Sequence, residues 1–172
     1  ASRSGDFVTK NFPGGFGYQG TANTNNYVLG LGAVTETWIG TTGDWSLGTN
    51  WSLGRPPIAT DDVIIPDVGV AGISEIISVT TAGQVARSIT NAEQLNIQSG
   101  DLTFTQASTS SGIVAVAGGT LTATGNLTAT TLNLSAGALT GAGNLKVTTD
   151  FNQTGGSFAP TGSIDLTRSL GN

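Results

Sequence analysis

From Leu95 onward, one pattern of apolar residues and glycines returns at a step of 18 or 19, and that spacing leaves few folds open. Alternating pairs stand at Leu95/Ile97, Val114/Val116, Leu132/Leu134 and Phe151/Gln153. Glycines follow at Gly100, Gly119, Gly137 and Gly156, and large apolar residues at Leu102, Leu121, Leu139 and Phe158. All three series step by 19, 18 and 19. A further series, Leu127, Leu145 and Ile164, steps by 18 and 19. Periods near 20 built from short β-type segments are the mark of coiled β-solenoids. Each coil buries its apolar row only by stacking on its neighbours, so the predicted shape is a rod. Side chains alternate along a strand, which turns Leu102 inward, Thr103 outward and Phe104 inward. The corners need backbone freedom, which glycine supplies. Parallel strands of successive coils lie ~4.8 Å apart, so about five coils span ~24 Å. The residues expected inside are Leu95, Ile97, Leu102, Val114, Val116, Leu121, Leu132, Leu134, Leu139 and Phe158.

Composition narrows the function classes. The 172 residues suffice for one domain or two small ones. Only 10% are charged and 26 are glycine, yet the chain is too apolar and too regularly patterned for a disordered linker. A net charge of −5 with six scattered Lys and Arg argues against nucleic-acid binding. No apolar run is long enough to span a membrane. The absence of Cys excludes disulfides, thiolate metal sites and Cys catalysis; His and Met are absent too. The chain starts Ala1-Ser2-Arg3-Ser4 without a charged-then-apolar leader. Either a signal was removed or this is an internal piece of a longer chain, and the second reading is favoured because residues 163–172 stop part-way through a coil. An uncapped coil presents unpaired N–H and C=O groups. That predicts end-to-end self-association through the C-terminal coil, as dimers or short filaments.

Three segments follow. Residues 1–35 form a β-rich N-terminal segment outside the later period, and residues 36–72 form a Trp- and Asp-rich capping segment. Residues 73–172 form the parallel β-solenoid, of which 73–94 is a less regular first coil. Ile77/Val79 precede Leu95/Ile97 by one step of 18, and Ile89 precedes Ser108 by one of 19. Pro56-Pro57 must be loop, and Val63-Ile64-Ile65 reads as a short buried strand ended by Pro66.

Chemistry-bearing residues are sparse. Carbohydrate-active β-helices need carboxylates and cations clustered on one face. In the regular tail the acids are Asp101, Asp150 and Asp165 and the bases Lys146 and Arg168, with no catalytic cluster among them. Lys146 and Asp165 occupy corresponding outward positions on adjacent coils and are expected to stack as a surface ion pair. Asp44, Asp61, Asp62 and Asp67 form the densest acidic group. They read first as turn chemistry, since Asp hydrogen-bonds its own backbone. Ca²⁺, which takes six to eight oxygens, is the alternative occupant. Trp38, Trp45 and Trp51 read as a local core plugging the end of the rod, with a sugar-stacking platform as the alternative. Thr103/Thr105, Thr122/Thr124, Thr140/Ala142 and Ala159/Thr161 form an outward row. This row admits ice binding beside the plainer account that Thr suits exposed strands. Asn50, Asn126, Asn133 and Asn152 begin Asn-x-Ser/Thr triplets, read as accidents of composition.

The phrases Ala117-Gly118-Gly119-Thr120-Leu121-Thr122-Ala123-Thr124-Gly125-Asn126-Leu127-Thr128 and Leu139-Thr140-Gly141-Ala142-Gly143-Asn144-Leu145 resemble the repeats of filamentous-haemagglutinin-type exoproteins and autotransporter passengers. The stretch Trp38-Ile39-Gly40, Asp44-Trp45, Asn50-Trp51-Ser52, Pro56-Pro57, Asp61-Asp62-Val63-Ile64-Ile65-Pro66 is similar to a motif that precedes β-helices in large bacterial surface adhesins. Val8-Thr9-Lys10-Asn11 and Asn26-Tyr27-Val28-Leu29 resemble the end of a small β-rich module of the same exoproteins. The resemblance covers residues 36–172 and implies a right-handed parallel β-helix, export from a Gram-negative cell and a role in attachment. No ligand-binding residue set transfers with it. The expectation is a non-enzymatic secreted or cell-surface structural and adhesive segment of a large bacterial exoprotein. It would act outside the cell without a cofactor, against a host or neighbouring-cell surface and its glycans. A carbohydrate-binding or polysaccharide-degrading β-helix is the alternative, and an ice-binding solenoid a further one.

Overall fold

The structure, a computed structural model, describes residues 16–18, 29–69 and 74–166. A two-stranded antiparallel pair, β1 (Phe16–Tyr18) and β2 (Leu29–Leu31), precedes the main body. Asp6-Phe7-Val8 and the matching pieces in residues 8–11 and 26–28 lie outside the described residues.

The main body is a parallel β-solenoid with three faces. The first face stacks β3 (Val34–Thr37), β5 (Asp61–Ile65), β8 (Ser88–Asn91), the starts of β11 (Ser108–Ala123), β12 (Leu127–Gly141) and β13 (Leu145–Gln153), and β15 (Ile164–Leu166). The second stacks β4 (Gly43–Asp44), β6 (Ile76–Val79), β9 (Gln94–Ile97), the middles of β11 and β12, and the end of β13. The third stacks β7 (Gln84–Ala86), β10 (Asp101–Phe104), the ends of β11 and β12, and β14 (Ser157–Pro160). Every pairing in this body between named strands is parallel. β11 and β12 turn two corners without losing their neighbours, with register shifts near the corners, so each runs through all three faces.

The periodic columns pair as the spacing predicts. Leu95, Val114, Leu132 and Phe151 are in register, as are Leu102, Leu121, Leu139 and Phe158, and Leu127, Leu145 and Ile164. Ile77 lies on Leu95 and Val79 on Ile97. These columns form one continuous core with Trp38, Trp45, Val63, Ile65, Phe104 and Val147, apart from Ile164, which is exposed, and Phe151 and Phe158, which pack against that core half-buried. The pair Phe151/Gln153 departs from expectation: Phe151 is half-buried and Gln153 is exposed. Phe158, expected inside, is also half-buried. These residues sit on the last described rungs of the second and third faces, with a coil on one side only.

The corner glycines serve a purpose the spacing did not show. Gly137 and Gly156 adopt positive φ, of 70° and 69°. Gly100 and Gly119 are not in that region, and what demands glycine there is the coil beneath. A Cβ on Gly100 would collide with the backbone of Thr81, and one on Gly119 with the carbonyl of Gly100.

The parallel ladders also reach further back than the period suggests. β3 spans the boundary expected between residues 35 and 36, and β3, β4 and β5 carry the first and second faces through residues 34–65. Pro56 and Pro57 lie in an irregular loop, and Pro66 directly follows β5.

Candidate functional site

Polar and aromatic chemistry concentrates at the N-terminal end of the rod. Glu36 lies in β3 and Trp38 directly follows it in an isolated bridge, and the alternation of an extended chain places both on one side. Trp38, Trp45 and Trp51 are 1%, 0% and 1% exposed. Trp38 and Trp51 meet edge to face with ring centroids 5.0 Å apart, and Trp45 and Trp51 likewise at 4.8 Å. The Trp38 indole donates to the Thr41 carbonyl (3.0 Å) and the Trp51 indole to the Trp45 carbonyl (2.7 Å). None of the three indole rings is exposed, and together they form a buried aromatic cluster in the N-terminal region.

The loop after the 3-10 turn Gly48–Asn50 folds back over β3. The Ser52 N–H donates to the Thr37 carbonyl (2.9 Å), and the Thr37 N–H to the Ser52 hydroxyl (3.0 Å). The Glu36 carboxylate, fully buried, accepts from the Ser52 hydroxyl (3.0 Å) and the Leu53 N–H (2.8 Å). A strand edge that would otherwise present free polar groups is thereby covered at its Thr37 end. On the second face the Asn50 side chain donates to the Asp44 carbonyl (3.0 Å).

Three of the four aspartates considered for calcium, Asp44, Asp61 and Asp62, take separate partners. Asp61, buried, receives a bidentate pair from Arg55 (2.6 and 3.2 Å) and the Ile58 N–H (2.9 Å). The hydrogen bond to Asp61 holds the Arg55 guanidinium above its ordinary pKa, against the opposing pull of its partial burial. Asp62 pairs with Arg87 and Ser88 of the next coil. Asp44 accepts from the Ser46 N–H (2.8 Å), its hydroxyl, and the Thr80 hydroxyl. Desolvation raises the Asp44 pKa, but these hydrogen bonds outweigh it and the net direction is downward. Asp67 is exposed. Among the described residues no three His, Cys, Asp or Glu side chains gather where they would hold a metal ion, and Asp44, Asp61 and Asp62 are engaged in local turn and ion-pair contacts.

Two buried groups escaped the sequence reading. Glu93, 1% exposed, accepts from the Val68 N–H (2.7 Å) and the Glu75 N–H (2.8 Å), tying together both sides of a loop. Its place one period after Glu75 was a visible signal. Ser108 and Ser110 occupy inward columns that Leu127 and Ala129 fill one coil later. Ser110 accepts from the buried Asn91 amide (2.9 Å), and Ser108 from the Ile89 N–H (2.9 Å). Beside them lies a void of about 10 Å³, lined among others by Leu95, Phe104, Val114 and Leu121.

Along the regular coils the outward residues bond to each other. Thr122 and Thr140 hydroxyls lie 3.2 Å apart, and the Asn152 amide donates to Asn133 (3.0 Å). Asn126 and Asn144 accept from the backbone of the next coil, at Asn144 and Ser163 (both 3.0 Å). Lys146 and Asp165 pair at 3.5 Å with both side chains more than half exposed. Thr103, Thr122 and Thr140 form one straight column, which Ala159 ends. Asp101 is occupied by the Gly83 N–H (2.7 Å), while Asp150 lies alongside Thr131.

The fold and these contacts define a class: a parallel β-solenoid with an N-terminal region that holds a buried tryptophan cluster. In comparisons with protein-family models, curated proteins and solved structures, the chain matches none of them.

Proposed function

We propose that this chain is a non-enzymatic rod segment of a secreted or cell-surface bacterial exoprotein, working in attachment or in extracellular filaments. It acts outside the cell, against a host or neighbouring-cell surface and its glycans. One observation carries this reading. Among the described residues, most charged side chains of the N-terminal region hold coils and loops together, and outward Thr and Asn residues bond along the rod. Glu36, Asp61, Glu93 and Asp44 each accept backbone N–H groups, and Arg55 and Arg87 face those same coils. Such a body keeps its shape over its length and offers repeated, small polar faces. The resemblance of the Trp38–Pro66 stretch and of the Gly-Thr-Leu phrases to bacterial surface exoproteins points the same way.

The test is adhesion of beads coated with the folded chain to cultured epithelial cells and to bacterial lawns. Heat-unfolded chain serves as control. Retention that depends on the folded chain supports the reading. No retention on any surface, together with release of reducing ends from neutral or acidic polysaccharides, would replace it with a carbohydrate-active one. The straight Thr column supports the ice-binding alternative, and thermal hysteresis lost on Thr122→Tyr would establish it.

A further inference from the structure

We propose that the rod has a built-in point of yield, the boundary between the coil of residues 88–104 and the coil of residues 108–123, where it parts first into two separately folded pieces. This goes beyond the attachment reading and does not depend on it. On the first face, one inward column runs Val63, Ile89, Ser108, Leu127 and Leu145, and the other Ile65, Asn91, Ser110, Ala129 and Val147. Both columns turn polar at this one boundary, and Asn91, Ser108 and Ser110 are all buried. The strand ladder is thin at the same place. β5 and β8 pair from Asp62/Ser88 to Ile65/Asn91, whereas β8 and β11 pair only at Thr90/Thr109 and Asn91/Ser110. The Ile89 N–H turns instead to the Ser108 hydroxyl (2.9 Å), and the Asn91 amide to the Ser110 hydroxyl (2.9 Å). The void of about 10 Å³ lies there too, with Ile89, Leu95 and Phe104 on one side and Val114 and Leu121 on the other.

Three effects weaken the same boundary. Groups that hydrogen-bond inside a protein give up bonds to water, so they stabilise less than the aliphatic side chains that fill these columns in neighbouring coils. Atoms lining the void lack partners across it. Fewer ladder bonds cross from one coil to the next. On the other two faces Leu95 on Val114 and Leu102 on Leu121 continue across the boundary and keep the rod closed at rest. In a stack whose stability sums coil and interface contributions, cooperativity breaks at the weakest interface. Loaded along its axis, such a rod gives way in two steps, with one piece still folded after the first.

The experiment is native-state hydrogen exchange of the full chain in rising denaturant, read by mass spectrometry. Amides of β5, β6, β8 and β9 are expected to exchange as one group and those of β11 and β12 as another, with rates that differ roughly tenfold or more. All three tryptophans lie in the first piece, so their emission should follow a different transition from circular dichroism, which reports both pieces. Since the chain has no Cys, introduced pairs of thiols can staple chosen boundaries. Thr90 and Thr109 are exposed neighbours across this boundary, as Thr109 and Thr128 are across the next, at the ~4.8 Å spacing that a disulfide can bridge. Oxidised Thr90→Cys/Thr109→Cys should merge the two groups into one, and reductant should separate them again. Oxidised Thr109→Cys/Thr128→Cys, a staple inside the second piece, should leave two groups. A single group in the unaltered chain, a division at another coil, two groups that persist under the first staple, or merging under the second would each overturn the proposal.

Discussion

On the first face, the step from Val34 to Asp61 is 27 and from Asp62 to Ser88 is 26; from Thr90 to Thr109 onward it is 18 or 19. The long steps carry the tryptophans, Arg55 and Arg87 with their aspartate partners, and the buried Glu36. The short steps carry aliphatic columns and rows of Thr and Asn. A regular coil has a like neighbour on each side, so one small set of side chains satisfies every coil. A terminal coil lacks a neighbour and must meet its edge and its exposed core with side chains used once. Those need longer loops, larger rings and charged acceptors that reach backbone N–H groups.

The largest expected effect tests whether the regular coils depend on one another. Leu121 is 1% exposed and lies between Leu102 and Leu139. Leu121→Asp places an unpaired charge in a dry column, a change expected to cost more than about 4 kcal/mol. Because each coil is stabilised by its neighbours, melting should spread to both sides. A thermal melt followed by circular dichroism should show loss of most β signal. Retention of the wild-type melting temperature would break the column account.

Trp51→Ala tests the other region. It removes the ring that both other tryptophans pack against, at an expected cost of about 3–5 kcal/mol. The loss should be local: the emission of Trp38 and Trp45 shifts red while amides of β12 stay protected from hydrogen exchange. Uniform loss of protection in both regions would show that the end and the regular coils melt as one unit.

The contrast also explains what could be read in advance. Leu95, Leu102, Leu127 and their column mates share a fixed step, so three faces and their register follow from counting. The N-terminal contacts have no common step: Arg55 reaches forward along its own loop to Asp61, and Arg87 reaches back a whole coil to Asp62. Glu36 carried one signal, its alternation with Trp38, but a Glu on the inward side of a strand is legible only once the loop it binds is known. Ser108 stood at the right step, and its polarity concealed that it sits inside. The glycines at 100 and 119 were placed by the period, while their reason, contact with the coil beneath, required the stacking itself.

Gly119→Ala sharpens that last point. Its Cβ would press on the Gly100 carbonyl, so the coils must separate locally, at about 1–3 kcal/mol as for other overpacked sites. A chemical denaturation midpoint lowered with an unchanged slope is expected. An unaffected midpoint would mean the corner has room that the stacking does not show.

A smaller, pH-dependent effect belongs to Asp44. Its pKa in the folded chain is lowered, because hydrogen bonds from Ser46 and Thr80 outweigh desolvation. A lowered folded value means the contribution to stability is present above the ordinary Asp value, about 3.9, and is lost as pH falls through the folded one. Melting temperatures of wild type and Asp44→Asn should therefore differ near neutral pH and converge in acid. A gap that stays constant with pH would remove Asp44 from the acid response.

The smallest effect compares two ion pairs. Arg55 and Asp61 meet bidentately, with the Asp61 side chain 1% exposed, whereas Lys146 and Asp165 are 53% and 63% exposed. Water and salt screen the second pair, and holding two long side chains in one geometry opposes it entropically. A double-mutant cycle with Lys146→Ala and Asp165→Ala should give a coupling of about 0–0.5 kcal/mol that vanishes in high salt. The same cycle at Arg55 and Asp61 should give a clearly larger and less salt-sensitive value, because removing Arg55 leaves a buried carboxylate without its cation. Equal couplings at the two sites would erase the distinction between the end of the rod and its repeating body. Burial of Asp61 would then not be what makes the N-terminal contact strong.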